Sequence, residues 1–409
     1  MNIFLLLAVA FSLIIILLRR HVPIGPCMLA GGLLLWLARS ADPLALVQAA
    51  RETLSLPRTY DIILALYFVM CLEIELRGSG TLSGLVEALK RLFSGARALL
   101  ALMPAFLGLL PSLGGARFSA PIVEELSQGL SLSPERKAAI NFWFRHIFEF
   151  SNPIIPGMIM ACSIAEVPFS AFLKHLSWLT ILAFAVGWVI LIRPLRLPPE
   201  KKAAADSRAR RRGQADLALS FAPVISVFLL VVFLDWNASL SMGFVTFLLF
   251  FVLRAAGRYV SLRDVVVGAV DMKMLMNVLL ILYFIQILTV THLLSEIVAA
   301  FQASPLPIPV VIACVSFLIG MLTGMSQGHV AIVMPIVAAM GTGSLTLAGI
   351  AMAFGVAGQM VTPTHMCLVV TMDYFRSDFF GTLKPVLLAE VVLLTVFSAV
   401  TYVAGRFAP

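Results

Sequence analysis

Ser112, Gly114, Gly115 and Arg117 stand in the run Leu109-Leu110-Pro111-Ser112-Leu113-Gly114-Gly115-Ala116-Arg117, and Ser326, Gln327, Gly328 and His329 stand in Leu322-Thr323-Gly324-Met325-Ser326-Gln327-Gly328-His329. Both are Ser/Gly-rich interruptions in strongly apolar sequence. Each is followed by Pro-Ile-Val, beginning at Pro121 and at Pro335, an offset of 214 residues that also carries Ser112 onto Ser326 and Gly114 onto Gly328. A second interruption follows in each half: Phe150-Ser151-Asn152-Pro153-Ile154-Ile155-Pro156-Gly157, and Gly358-Gln359-Met360-Val361-Thr362-Pro363-Thr364-His365. Aligning Asn152-Pro153 with Thr362-Pro363 changes the offset to 210, as a deletion of four residues between the motifs would. Proline removes a backbone donor and clashes with the preceding turn, so a helix unwinds there. The chemistry open to four such breaks is ion binding: unwound carbonyls and hydroxyls suit a cation, and helix amino ends suit an anion.

Ionisable residues gather at the same places. Arg117 follows the first tip, Arg145, His146 and Glu149 precede Asn152, His329 follows the second tip, and His365 follows Thr362-Pro363. Charge within a bilayer is expensive and points to function. Arg117 or Arg145 would supply positive charge to an anion, and the histidines are the candidates for proton coupling, because imidazole changes charge within the physiological pH range. Arg145 and Glu149, at i and i+4, could instead pair with each other. Either proline break alone would be a kink, and one Ser-x-Gly a helix contact; the repetition in register favours a site. His146-x-x-Glu149 is a poor metal motif without a second copy. The five cysteines, with no C-x-x-C spacing, read as small hydrophobes, and no metal is expected. Glu73, Glu75 and Arg77 read as a helix end, and Glu124 and Glu125 as solvated.

These residues need membrane-spanning elements to hold them. The chain is 61% hydrophobic and 12% charged, with a mean hydropathy of +1.02, beyond the range of soluble domains. Apolar segments long enough to cross ~30 Å of hydrocarbon run at 2–18, 22–38, 60–76, 138–165, 169–192, 217–234, 238–254, 274–292, 346–372 and 383–404. The stretches 98–130 and 306–342 carry the first pair of interruptions and read as re-entrant hairpins; 138–165 and 346–372 read as broken helices. The expected fold is an all-α polytopic membrane protein: two inverted repeats of about five transmembrane helices each, over 1–195 and 217–409, joined by a linker at 196–216.

Loop charge sets the expected orientation. The segment 193–216 holds eight basic and three acidic residues, a net +5 of the chain's +8, and short basic loops stay in the cytoplasm. It reads as a flexible cytoplasmic linker, with the amino terminus outside and Ser295 to Pro309, free of Lys and Arg, also outside. The loop 39–59, with Arg39, Arg51 and Arg58, fits least well. No cleaved signal peptide is read at the start, and no nucleic-acid partner is expected. No G-x-x-x-x-G-K-[ST] motif is present to support ATP-driven pumping.

The paired hairpins and broken helices resemble the ion transporter superfamily, which includes gluconate, citrate and sodium-coupled dicarboxylate carriers. Within it, Leu109 to Arg117, Asn141-Phe142-Trp143-Phe144-Arg145-His146 with Asn152-Pro153, Ser326-Gln327-Gly328 and Pro363-Thr364-His365 resemble a prokaryotic family of integral membrane proteins of unknown function. The resemblance implies a hairpin and broken-helix transport domain on a scaffold, a homodimer, and elevator-type movement. In the dicarboxylate carriers each tip carries Ser-Asn-Thr; here only the serines, Ser112 and Ser326, remain. The resulting expectation is a secondary transporter of a small organic anion, coupled to H+ or Na+ and needing no cofactor. Its site would comprise Ser112, Gly114, Gly115, Arg117, Asn152, Pro153, Ser326, Gln327, Gly328, Thr362, Pro363 and Thr364, with Arg145, His146, Glu149, His329 and His365 in charge or proton coupling. The alternative is an intramembrane enzyme acting on a lipid-linked substrate.

Overall fold

A computed structural model describes residues 3–81, 84, 95–109, 115–128, 130–195, 207–341 and 343–407. Every regular element among them is helical. Five spans are long and apolar enough to cross a membrane: Phe169–Ile192, Leu217–Leu234, Ala238–Ala255, Leu262–Val290 and Phe379–Ala404. The fourth is interrupted at Ala269–Asp271, where Asp271 accepts from the Met274 N–H at 3.0 Å and starts a new helix. Its membrane-length part is therefore Met272–Val290, 19 residues, about 28 Å at the helical rise. With Ile3–Arg19, Ile24–Arg39 and Pro57–Gly78, the chain is a multi-pass helical membrane protein.

One set of helices forms a packed framework. Ile24–Arg39 lies against Ile3–Arg19 and Met272–Val290, while Ala238–Ala255 lies against Pro57–Gly78 and Ser207–Leu234. The contact of Ile24–Arg39 with Met272–Val290 closes to backbone distance at Gly25, whose N–H donates to Asn277 Oδ1 at 3.0 Å. A Cβ at Gly25 would lie 2.6 Å from the Asn277 Cα, so glycine is required for that approach.

The second set holds the interrupted segments. Ala96–Leu109 and Gly115–Leu126 pack against each other, as do Ile308–Thr323 and Ser326–Met340. The turn of the second pair is short because Gly324 takes the left-handed conformation, φ 65°, and ends the helix. After each pair comes a helix, a break and a second helix. Pro134–His146 tightens into a 3-10 turn at Ile147–Phe150, unwinds, and resumes at Pro156–Ala165; Leu345–Met360 unwinds and resumes at Met366–Phe375. Both resumed helices end on a left-handed residue, Glu166 (φ 56°) and Arg376 (φ 52°), and both are followed by long helices beginning at Phe169 and Phe379. All of these correspond at the 210-residue offset read from the sequence.

Some expectations need correction. The stretch 39–59 is not a loop: Pro43–Ser55 is a helix, started by Asp42 accepting from the Leu44 N–H at 3.0 Å and by Pro43 at its first position. The 295–309 mouth likewise holds most of the helix Leu293–Gln302. The basic linker is shorter than expected, since Ser207–Leu234 is continuous helix; 196–206 lies outside the described residues. Glu75, expected at a solvated helix end, is 1% exposed, and neither carboxylate oxygen has a hydrogen-bond partner. Glu73 does pair with Arg77 one turn on. Glu124 pairs with Lys137 at 2.9 Å.

Candidate functional site

In each half a side chain of the break is tied to the outgoing hairpin helix, through residues that are not equivalent at the 210-residue offset. Asn152 Nδ2 donates to the Leu109 carbonyl at 2.7 Å, at the end of the first outgoing hairpin helix. Thr364 Oγ1 donates to the Met321 carbonyl at 3.4 Å, near the end of the second. Each bond spans 43 residues. Deeper in the same helices, Gly108 lies against the Arg145 carbonyl and Gly320 against the Gly355 carbonyl, so that a Cβ at either glycine would overlap that oxygen.

The returning hairpin helices cross over. Gly115–Leu126 packs on Met366–Phe375, and Ser326–Met340 packs on Pro156–Ala165. At the second contact Gly157 sits beneath Ser326: a Cβ there would come 2.7 Å from the Ser326 Cβ and Oγ. Ser326 and Gly328 are buried, with Gly328 against Thr323. Gln327 is half-buried. Ser112 and Gly114 lie outside the described residues, as does the side chain of Arg117, although Gly115 and Arg117 belong to the helix Gly115–Leu126. Leu109, three residues before Ser112, and Ser326 both meet the first break.

The breaks are internally braced. Asn152 Oδ1 accepts from the Ile154 N–H at 3.1 Å, an Asx turn around buried Pro153. Thr362 and Thr364 hydroxyls stand 3.0 Å apart, Thr362 buried, Pro363 and Thr364 exposed. Asn141 Nδ2 donates to Thr371 Oγ1 at 3.1 Å, joining the two halves.

His146 and His365 meet across the halves, Nε2 to Nε2 at 3.1 Å. Their Nδ1 atoms face the carbonyls of Phe142 (2.7 Å) and Gln359 (3.1 Å). The Phe142 ring packs on both, with centroids 4.8 Å and 5.2 Å away. Cys367, read from the sequence as a small hydrophobe, shares this cluster: its Sγ and one ring nitrogen of each histidine lie within 4.8 Å of one another. No sequence signal pointed to it, because its partners are 221 and two residues away, outside any local spacing rule.

The Arg145–Glu149 ion pair that the i,i+4 spacing left open does not form. Arg145 Nε and Nη1 and Glu149 Oε2 are buried without hydrogen-bond partners, because the helix tightens to 3-10 between the two residues and the i,i+4 register is lost. Asn141 Oδ1, Gln359 Oε1 and both ring nitrogens of His329 are also buried and unpartnered. His329 is fully buried against Gly355.

A cavity of about 800 Å³ lies elsewhere, between Glu52, Arg58, Glu166, Gln286, Thr289 and Pro335. Arg58 and Glu166 pair on its rim at 2.5 Å. None of the described tip or break residues lines it, and the space beside His146 is only about 10 Å³, about one water.

The crystal structure of the Alcanivorax borkumensis YdaH transporter, reported to have an unusual topology, matches this fold with a TM-score of 0.58. The match is 16% identical and covers 88% of this chain and 87% of that one, a likeness of fold. No curated protein matches the chain by sequence. A family model described as "Protein of unknown function (DUF401)" matches residues 3–404, and the chain belongs to that family.

Proposed function

We propose that the chain is a secondary active transporter of a small organic anion of the carboxylate type, coupled to H+ or Na+. The fold it shares with a transporter supports this reading. The observation that carries it is the crossed arrangement of the breaks: each touches its own hairpin through a hydrogen bond spanning 43 residues and packs on the returning helix of the other. Interruptions paired in this way are how transporters built from inverted repeats form a site near the midplane. The alternative of an intramembrane enzyme gives no reason for the approach of Gly108 to the Arg145 carbonyl to be repeated by Gly320 at the Gly355 carbonyl.

Buried polar atoms without partners are rare and cost about 1–3 kcal/mol each. Asn141, Arg145 and Glu149 present such atoms one to two turns apart, with Gln359 from the other half. A carboxylate entering here would meet the Arg145 donors, and Arg117 adds a second charge. Ser112, Asn152, Ser326, Thr362 and backbone N–H groups complete the anion site. The paired hydroxyls of Thr362 and Thr364, with unwound carbonyls, suit Na+; His329 is the candidate for a proton. The chain is assigned to the ion transporter superfamily on the same pattern. The hairpins and broken helices move as an elevator against the framework, in a homodimer whose amino terminus lies outside and whose 193–216 segment is cytoplasmic. The 800 Å³ cavity beside Arg58 and Glu166 is the outer vestibule.

Purified protein in liposomes tests this with carboxylate uptake under imposed pH or sodium gradients. Arg117→Ala and Arg145→Ala should each abolish uptake while the protein still elutes as wild type from a sizing column. Wild-type uptake by the double variant would refute the site.

A further inference from the structure

We propose that His146, His365 and Cys367 form a binding site for a borderline or soft transition-metal ion, Zn2+ or Cu+, that bridges the two halves of the chain. The proposal does not depend on the transport reading.

The hydrogen bonds decide the state of the rings. A backbone carbonyl can only accept, so the contacts to Phe142 and Gln359 require N–H at Nδ1 of both histidines. Each neutral ring then presents an Nε2 lone pair, and the two lone pairs point at each other across 3.1 Å. That arrangement is repulsive unless something positive lies between them. Metal-ligating histidines are held in this way, with the other ring N–H donated to a carbonyl that fixes tautomer and orientation.

The spacing suits a metal. Bonds of about 2.0–2.1 Å to nitrogen, at a tetrahedral angle, put two ligand nitrogens about 3.3 Å apart, close to the 3.1 Å found. The Cys367 sulfur completes a group whose ligand atoms lie within 4.8 Å of one another. A bare proton would account for the imidazole pair but would give the sulfur no part. Thiolate with imidazole selects Zn2+ or Cu+ over oxygen-seeking cations such as Mg2+ and Ca2+.

The surroundings are preorganised and charged. Phe142 packs on both rings. The Arg145 side chain lies beside Cys367, and the Glu149 carboxylate is near the Cys367 sulfur. Three protein ligands leave a coordination position open to water or an anion. Because His146 ends the helix Pro134–His146 and Cys367 begins Met366–Phe375, a bound ion would clamp the first half's break to the second's.

The test uses full-length protein in detergent, stripped with chelator and re-equilibrated separately with buffered Zn2+, with Cu+ under reductant, and with Co2+ as a spectroscopic probe. Wild type should retain about one ion per chain by mass spectrometry after dialysis, and the ion retained identifies the metal. The Co2+ form should show a sulfur-to-cobalt charge-transfer band. His146→Ala, His365→Ala and Cys367→Ser should each weaken binding by more than about 100-fold, beyond the 10–100-fold of outer-shell changes, while Cys162→Ser binds as wild type. Apo variants are compared with apo wild type for elution and melting. Retention of neither ion by wild type, or wild-type affinity in any of the three variants, overturns the site. Absence of the sulfur band in folded wild-type protein overturns it without recourse to a variant.

Discussion

Asn152→Ala should be among the most damaging single substitutions at the breaks, and the structure gives its size. The side chain is 1% exposed and makes two bonds, donating to the Leu109 carbonyl at 2.7 Å and accepting from the Ile154 N–H at 3.1 Å. Leu109 is the last residue of Ala96–Leu109, and Asn152 ties its carbonyl to another segment. Removing the amide takes away the bonds of one half-buried acceptor and one buried donor, at about 1–3 kcal/mol each, or roughly 2–6 kcal/mol in all. The counterpart bond, from Thr364 to Met321, is 3.4 Å long and exposed, so water replaces it and Thr364→Ala costs less than about 1 kcal/mol. Unfolding by SDS in mixed micelles, followed by tryptophan fluorescence, measures both variants against wild type. Asn152→Asp should not rescue, because a carboxylate faces the Leu109 carbonyl without a proton to donate. If Asn152→Ala and Thr364→Ala fell within about 0.5 kcal/mol of each other, the assignment of Asn152 as the tie to the first hairpin would be wrong.

Two further outcomes follow from the same contacts and from the loop charges. Gly355→Ala places a methyl group against the imidazole of buried His329, so overpacking of about 1–3 kcal/mol should outweigh the gain of up to about 1 kcal/mol from helix propensity; a variant that melts at or above wild type would show that the ring moves aside freely. Arg208→Cys, in a background without other cysteines, should resist an impermeant maleimide in intact cells and label only after permeabilisation, because the basic 193–216 segment stays inside; rapid labelling of intact cells would invert the orientation.

The architecture was legible because it is written locally. Hydropathy alone locates the helices, since a 16- to 20-residue apolar run in lipid must satisfy its own backbone. Proline and glycine mark where helices stop, so Asn152-Pro153 and Thr362-Pro363 could be read directly, although the second hairpin turns at Gly324 and Gly328 lies inside the returning helix. The amphipathic helix Pro43–Ser55 was missed for the complementary reason: its apolar residues are spaced, not continuous, and its charges resemble those of a loop. The continuation of helix through Ser207 was hidden in the same way by consecutive arginines.

The chemistry at the breaks was only half legible, because it depends on which elements cross. The alternative of an Arg145–Glu149 ion pair assumed a regular helix between them. The chain instead tightens at Ile147–Phe150, and Arg145 Nε and Nη1 and Glu149 Oε2 are left without hydrogen-bond partners. His146 and His365 each stood out as imidazoles beside a break, but nothing in the local sequence says that 219 intervening residues bring their Nε2 atoms together. The cause is tertiary: Pro134–His146 packs on Met366–Phe375, and Asn141 bonds Thr371 across that contact. Once the two helices are antiparallel neighbours fixed at that bond, a residue placed one turn beyond Asn141 must meet the residues that open the opposite helix. His146, His365 and Cys367 are those residues, and their meeting is a consequence of the crossing rather than of any motif.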